Sequence, residues 1–253
     1  MTIEVSEIYG AVQGEGPNLG RPSLFLRFHR CNLSCKWCDS AFTWDKEDAG
    51  YDDFTSYESV DALLPTLLQV SVEAAHPPAL VITGGEPMLY QAHLPALIGM
   101  YVACYQQLYD LDPPEVEIET AGTIEPNLYL RENVHFNVSH KLRSSGNEQV
   151  PRSKLWNEPA AKSFLRGDAI FKPVVGEQDD ESLDEYFRWL ELMGTMVGLR
   201  WRDIRPRIYL MPEGQTREQL TRRQPKVLDL AVKYKVRATT RLHILAYGDE
   251  RKR

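Results

Sequence analysis

Long hydrophobic runs are missing from this 253-residue sequence. Its longest mainly apolar stretch, Leu94 to Tyr105, is interrupted by Pro95 and Gly99. It falls short of the roughly 20 residues that a bilayer-spanning helix needs. The opening residues Met1-Thr2-Ile3-Glu4-Val5 lack the charged-then-apolar layout of a secretory leader, so a soluble protein with a cytoplasmic location and no membrane partner is expected. Positive charge is not in excess either. The 29 Lys and Arg against 36 Asp and Glu leave a net charge of −7, which removes any general pull toward nucleic acid. The basic tail Arg251-Lys252-Arg253 reads as a solvated end. There is no internal repeat and no linker rich enough to divide the chain, so one domain over residues 1–253 is expected. Cysteine is scarce as well, with only four, yet three of them fall between positions 31 and 38. Local crowding of thiols in an intracellular chain favours a metal or cluster over disulfides.

What is present is an alternation of short β-rich runs with longer helical patterns. Ile3–Tyr9 and Ser23–His29 read as strands, separated by a turn-rich Gln13–Asn18 segment. Ser56–Ala75 reads as an amphipathic helix, Ala79–Thr83 as a buried strand ending on Gly84-Gly85, Gln91–Leu108 as a helix and Glu115–Thr120 as a strand. Val134–Ser139, Ala169–Val175 and Arg207–Met211 add strands, with helices at Glu181–Met193 and Thr216–Tyr234 and β character over Arg237–Tyr247. Arg143–Gly167 is polar and reads as a long loop or lid. Such alternation predicts an α/β fold with a parallel sheet, open or curled into a barrel. Its ligands belong where the strands end.

The triplet Cys31-Asn32-Leu33-Ser34-Cys35-Lys36-Trp37-Cys38 directly follows a predicted strand. Three thiolates on a tight loop can ligate three irons of a cubane cluster, leaving the fourth iron open to chelation by a small molecule. A structural zinc site would need a fourth ligand. Cys104 lies inside an apolar helical pattern and reads as a packed core thiol. A zinc deaminase needs a histidine followed two residues later by glutamate, and the sequence has none. Cys31, Cys35 and Cys38 are therefore the expected ligands of a [4Fe–4S] cluster.

With Trp37 at the aromatic position, the triplet resembles the signature of the radical S-adenosylmethionine (SAM) superfamily. Thr83-Gly84-Gly85-Glu86-Pro87 resembles that superfamily's loop for the SAM amino group. Within it, Val12-Gln13-Gly14-Glu15-Gly16-Pro17, the cysteine loop through Cys38-Asp39-Ser40-Ala41-Phe42-Thr43-Trp44-Asp45, Glu119-Thr120-Ala121-Gly122-Thr123, Asn137-Val138-Ser139-His140-Lys141 and Thr239-Thr240-Arg241-Leu242-His243 resemble, in order, the 7-carboxy-7-deazaguanine synthase family. The resemblance covers nearly the whole chain. It implies a partial, incomplete TIM-like barrel with the cluster loop after an early strand. The implied chemistry is ring contraction of 6-carboxy-5,6,7,8-tetrahydropterin, with loss of ammonia, to 7-carboxy-7-deazaguanine in queuosine-type 7-deazapurine biosynthesis. It also implies Mg2+, a reductant such as flavodoxin or ferredoxin, and a homodimer.

Carried over position by position, the resemblance assigns SAM contacts to Trp37, Cys38, Asp39, Gly85, Glu86, Ser139, His140 and Lys141. A weaker match adds Met211, Pro212, Glu213 and Gly214. His140 stands where the family usually has proline, which changes what fixes the backbone there. Ser40 is the implied Mg2+ ligand, set against the plainer role of a helix-capping or turn serine. Val12, Gln13, Gly14, Arg27 and Thr83 are the implied substrate contacts. Arg27 can grip a carboxylate through two parallel hydrogen bonds, although a solvent-facing strand arginine is the common case. Glu86 and Glu119 could equally be structural carboxylates. Two other readings share some of these features. One is an activase that makes a glycyl radical on a partner protein. The other is a zinc-bearing nucleic-acid module, which the acidic net charge disfavours.

Overall fold

The structure, a computed structural model, describes residues 2–248 and 250–252. Arg253 of the basic tail lies outside the described residues. The strands are β1 (Ile3–Val12), β2 (Pro22–Phe28), β3 (Thr55–Tyr57), β4 (Ala79–Gly84), β5 (Glu115–Thr120), β6 (His135–Val138), β7 (Ala169–Phe171), β8 (Val174–Val175), β9 (Tyr209–Pro212) and β10 (Arg237–Ala238). The helices are α1 (Val60–Glu73), α2 (Leu94–Tyr109), α3 (Leu128–Asn133), α4 (Arg152–Leu155), α5 (Glu158–Arg166), α6 (Asp180–Met196), α7 (Trp201–Ile204), α8 (Arg217–Tyr234) and α9 (Leu242–Tyr247). Seven strands form one sheet in the order β3-β1-β2-β4-β5-β6-β7. From β2 through β7 the neighbours are parallel, while β1 runs antiparallel to β2 and β3. A parallel bridge between Phe171 and Ile208 leads on to the short parallel sheet β8-β9-β10. Among the described residues no ladder joins β10 to β3, so the curl stays incomplete. This is the α/β partial barrel that the alternation and the resemblance imply.

Strand periodicity explains why it curls. Side chains alternate between faces, so Leu24, Leu26 and Phe28 of β2, Leu80 and Ile82 of β4, Ile118 of β5 and Phe136 and Val138 of β6 all point to one face. They are buried there in one apolar core with Leu63 and Leu67 of α1 and Leu97, Ile98 and Tyr101 of α2. Each such side chain contributes about 1.5–3 kcal/mol on full burial. The opposite, concave face carries the polar alternates. No helix among the described residues is long and apolar enough to cross a membrane.

Four elements differ from the sequence reading. Thr55–Tyr57 pairs with β1 as a strand, and α1 begins only after Ser59, whose hydroxyl caps it by accepting from the Ala62 amide at 3.3 Å. Residues 143–167 are no open loop. Ala160, Ala161, Phe164 and Leu165 give α5 a buried face, a periodicity hidden within a polar average. Residues 242–247 form α9 rather than a strand, with Gly14 O accepting from the Leu242 amide at 2.8 Å. The Ala169–Val175 strand is also broken, at Lys172-Pro173, and the Lys172 side chain lines the concave face.

Candidate active site

Strand register builds the site from one transverse row. Glu7 of β1 sits opposite Arg27 of β2, Arg27 opposite Thr83 of β4, and Glu119 of β5 opposite Asn137 of β6. Thr83 and Glu119 are joined by a hydroxyl-to-carboxylate hydrogen bond of 2.9 Å. All five line a cavity of about 490 Å³ on the concave face, a volume within the roughly 300–1,000 Å³ typical of small-molecule sites. Arg27 donates from Nε to Glu7 at 3.0 Å and from Nη2 to the Tyr9 hydroxyl at 3.2 Å, leaving the Nη1 and Nη2 end of the guanidinium for a ligand. Asn137 is held by a 3.2 Å bond from Nδ2 to Glu117, and its buried Oδ1 has no partner among the described residues.

The cysteine loop forms the next wall, and Cys31, Cys35 and Cys38 all line the cavity. Each sulfur has a donor. The Leu33 amide reaches Cys31 at 3.4 Å, Asn147 Nδ2 reaches Cys35 at 3.2 Å, and Trp44 Nε1 reaches Cys38 at 3.4 Å. Hydrogen bonds to sulfur of this kind stabilise and tune thiolate-bound clusters. Burial pushes the Cys31 thiol up to about 12. Cys104 is in α2, against the helical core. The donor set therefore fits a cluster with three protein ligands and one open iron. Gly84 and Gly85 press against this loop backbone to backbone. A Cβ on Gly84, whose φ is +143°, would sit 2.3 Å from Phe28 O, and one on Gly85 would sit 2.2 Å from Arg30 O. Side chains are excluded there, and the loop's close approach requires glycine.

The opposite wall is a charge network in which Glu15, Lys172 and Arg241, to which the sequence reading gave no role, surround Asp39. Glu15 pairs with Lys172 and, at 3.0 Å, with Arg241; Arg241 also reaches Asp39 at 2.5 Å and Gly214 O at 2.9 Å. Burial alone would raise the Glu15 carboxyl, but Lys172 and Arg241 overcome it and hold the group well below the usual carboxylate range. Glu119 is shifted the other way: burial raises it, only partly offset by Lys172 Nζ 3.9 Å away. Donor atoms of Glu15, Asp39 and His243 lie within 4.8 Å of one another. Arg241 already bridges the two carboxylates, so their charge is balanced without an ion. Gly14 lets this wall close, because a Cβ there would sit 2.1 Å from His243 Nδ1.

Lys172→Met should be strongly destabilising, by about 3–5 kcal/mol at neutral pH, because it strips a buried cation from two carboxylates. The wild-type Glu15 carboxyl is depressed, so its contribution is present at neutral pH and fades only in acid. In the variant, the carboxyls take up protons at higher pH, which relieves the unpaired charge. The stability gap should therefore narrow as pH falls. Urea unfolding at pH 7.5 and pH 5 measures it, and a gap that widens in acid would refute this account.

Of the residues singled out from the sequence, the cavity brings together Val12, Gln13, Gly14, Arg27, Cys31, Cys35, Trp37, Cys38, Asp39, Ser40, Thr83, Gly85, Ser139, Lys141 and Met211. Ser40 occupies the capping position of a short 3-10 turn, yet its hydroxyl makes no capping bond and instead donates to Asp39 at 3.2 Å. Gln13 spends its amide on Glu117 and Glu119, at 2.8 and 3.2 Å. Five side chains lie elsewhere. Glu86 is fully buried, accepting from the Met88 and Ala121 amides and the Thr120 hydroxyl, so it ties the Gly84-Gly85 loop to β5. His140 turns into the core against Tyr186, Phe171 and Trp189, where burial drives its pKa down to about 3 and keeps it neutral. Pro212, Glu213 and Gly214 stand behind the cavity wall; Glu213 pairs with Arg223 at 2.5 Å. In their place Gln215 and Thr216 reach the cavity, and Gln215 Nε2 donates to Cys38 O at 2.7 Å.

A parallel partial barrel with three donor-supported thiols beside a polar cavity at its strand ends defines the radical SAM class of enzyme. No family model matches the chain. It is 32% identical to the 7-carboxy-7-deazaguanine synthase of Pyrobaculum aerophilum, over 98% of this chain and 96% of that protein. The protein of the same name from Hyperthermus butylicus is 30% identical over 96% of this chain and 92% of its own length. Among solved structures, QueE from Escherichia coli superposes with a TM-score of 0.62 at 24% identity, covering 96% of this chain and 95% of that one. Native anSMEcpe with bound AdoMet gives 0.52 at 13% identity, over 84% of this chain and 61% of that one; both share the fold. The chain belongs to the 7-carboxy-7-deazaguanine synthase family.

Proposed function

We propose that this enzyme converts 6-carboxy-5,6,7,8-tetrahydropterin to 7-carboxy-7-deazaguanine with loss of ammonia. The observation that carries the reading is the transverse row Glu7–Arg27–Thr83–Glu119–Asn137 on the same cavity as the three thiols. The carboxylated pterin is an anion at its 6-carboxylate and a row of N–H donors at its guanidine-like edge. Arg27 offers the cationic end; Glu119 and the free Asn137 Oδ1 offer acceptors for the N–H edge. Cys31, Cys35 and Cys38 would hold the cluster, with Trp37, Asp39, Gly85, Ser139 and Lys141 around SAM. When bound, cluster and SAM together supply a one-electron cleavage that generates a hydrogen-abstracting radical. The protein's own part is to fix substrate geometry and exclude water. Thr83 and Gln13 pin the Glu119 carboxylate, and its raised pKa suits it to exchanging a proton with a ring nitrogen.

The same reading takes residues 1–253 as one domain acting as a homodimer in the cytoplasm. Its electrons come from a flavodoxin or ferredoxin, and it has no nucleic-acid partner. Motif resemblance and the acidic charge support these points. Ser40 is assigned to Mg2+, which suits a hard cation that keeps few protein ligands. Activity should rise with added Mg2+, and Ser40→Ala should blunt that response without altering the cluster spectrum; equal Mg2+ dependence in both proteins removes Ser40 from the site. The function itself is tested by anaerobic reconstitution and assay with SAM, Mg2+, reductant and the carboxytetrahydropterin. The expected product is the deazaguanine acid, and SAM cleavage without it would reject this substrate.

A further inference from the structure

Residues 250–252 are exposed, yet they line the mouth of the cavity. Arg251 is the anchor. Its Nε donates to Glu7 at 2.9 Å, and its guanidinium carbon lies 3.8 Å from the centre of the Phe42 ring, two residues beyond Ser40. Glu7, with its side chain only 2% exposed, thus holds two arginines at once, one on each oxygen: Arg27 on Oε2 and Arg251 on Oε1. The sharing has an electrostatic consequence. Two guanidinium groups share one buried carboxylate, so Glu7 by itself balances only one of them, while Asp48 and Glu250 line the same cavity. Arg251 uses only Nε on Glu7, and among the described residues its terminal nitrogens make no other hydrogen bond. A cavity corner where two guanidinium groups stand side by side with planar N–H donors is complementary to a carboxylate.

Resting on the pterin reading above, we propose that Arg251 is a specificity-determining residue that completes, with Arg27, a two-guanidinium cradle for the substrate carboxylate. Glu7 sets the spacing of the two groups and Phe42 fixes the plane of the second. The strap formed by residues 250–252 thereby belongs to the substrate pocket.

The test is equilibrium binding of 6-carboxypterin and of pterin, which lacks the carboxylate, to reconstituted SAM-loaded enzyme, followed by ligand fluorescence. Wild type should favour 6-carboxypterin. Arg251→Ala should weaken 6-carboxypterin by roughly 10- to 100-fold, the scale of one charge-assisted hydrogen-bonding partner, and leave pterin unchanged. Arg251→Lys should recover a minor part, since it keeps the charge without the fork. Equal weakening of both ligands would make Arg251 a structural anchor and overturn the proposal. Discrimination that survives intact in Arg251→Ala would overturn the role of Arg251 alone. A wild type that does not discriminate would overturn the cradle and the pterin assignment together.

Discussion

Alanine at any one of Cys31, Cys35 or Cys38 should abolish SAM cleavage and strip most of the iron from the anaerobically purified protein, while Cys104→Ala retains both. Wild type should contain about four irons per chain, as a cubane cluster requires. The asymmetry follows from the geometry. The three loop sulfurs open onto one cavity, and each is held by its own N–H donor from Leu33, Asn147 or Trp44. The fourth thiol is half-buried in α2 against the hydrophobic core. Removing one loop thiolate leaves two ligands, too few to retain a cluster that already has an open iron. Iron analysis and the yield of 5′-deoxyadenosine read the outcome. If Cys104→Ala alone lost the metal, or the purified wild type held zinc without iron, a four-ligand zinc site would be the better description.

The cysteine loop, the glycine pair and most strands were legible because their signals are local. A triplet on adjacent turns and a glycine pair at a strand end need only a few residues to be read. Lys172 and Arg251 carry no such signal, and Glu15 and Arg241 sit in motifs that do not reveal what their side chains pair with. Lys172 and Glu15 are 157 residues apart and Arg241 and Asp39 are 202 apart, and only closure of the barrel brings them together. One clue was available for the row. In a sheet buried on both faces, charged residues alternating with Ile118 and Phe136 at period two mark the face that turns toward a ligand. Glu117, Glu119 and Asn137 show that pattern. Side-chain direction at the strand ends was not legible for a different reason. Glu86 and His140 sit in ligand-like motifs, but the backbone there bends so that their side chains enter the core, where amides and aromatic rings satisfy them. The motif marks the loop, and only the backbone direction decides which side chain faces the cavity.

Arg27→Ala should weaken substrate by roughly 30- to several-thousand-fold, equivalent to about 2–5 kcal/mol for a desolvated charged partner. Affinity for SAM and iron content should stay near wild type, because no thiol contacts this side chain. The structure sharpens what the conservative variants should do. Arg27 works with three sets of donors, Nε on Glu7, Nη2 on Tyr9 and the remaining end facing the cavity. A lysine ammonium at this position cannot span Glu7, Tyr9 and a ligand in one plane, so Arg27→Lys should recover little. Tyr9→Phe removes a single hydrogen bond while keeping the ring stacked 5.2 Å from Phe25. Its effect should be only a few-fold, as expected for one neutral partner. Substrate affinity and turnover across Arg27→Ala, Arg27→Lys and Tyr9→Phe, with SAM binding in parallel, give the ranking. Unchanged substrate affinity in Arg27→Ala would reduce Arg27 to a counter-ion for Glu7, and the carboxylated pterin would then lose its principal support.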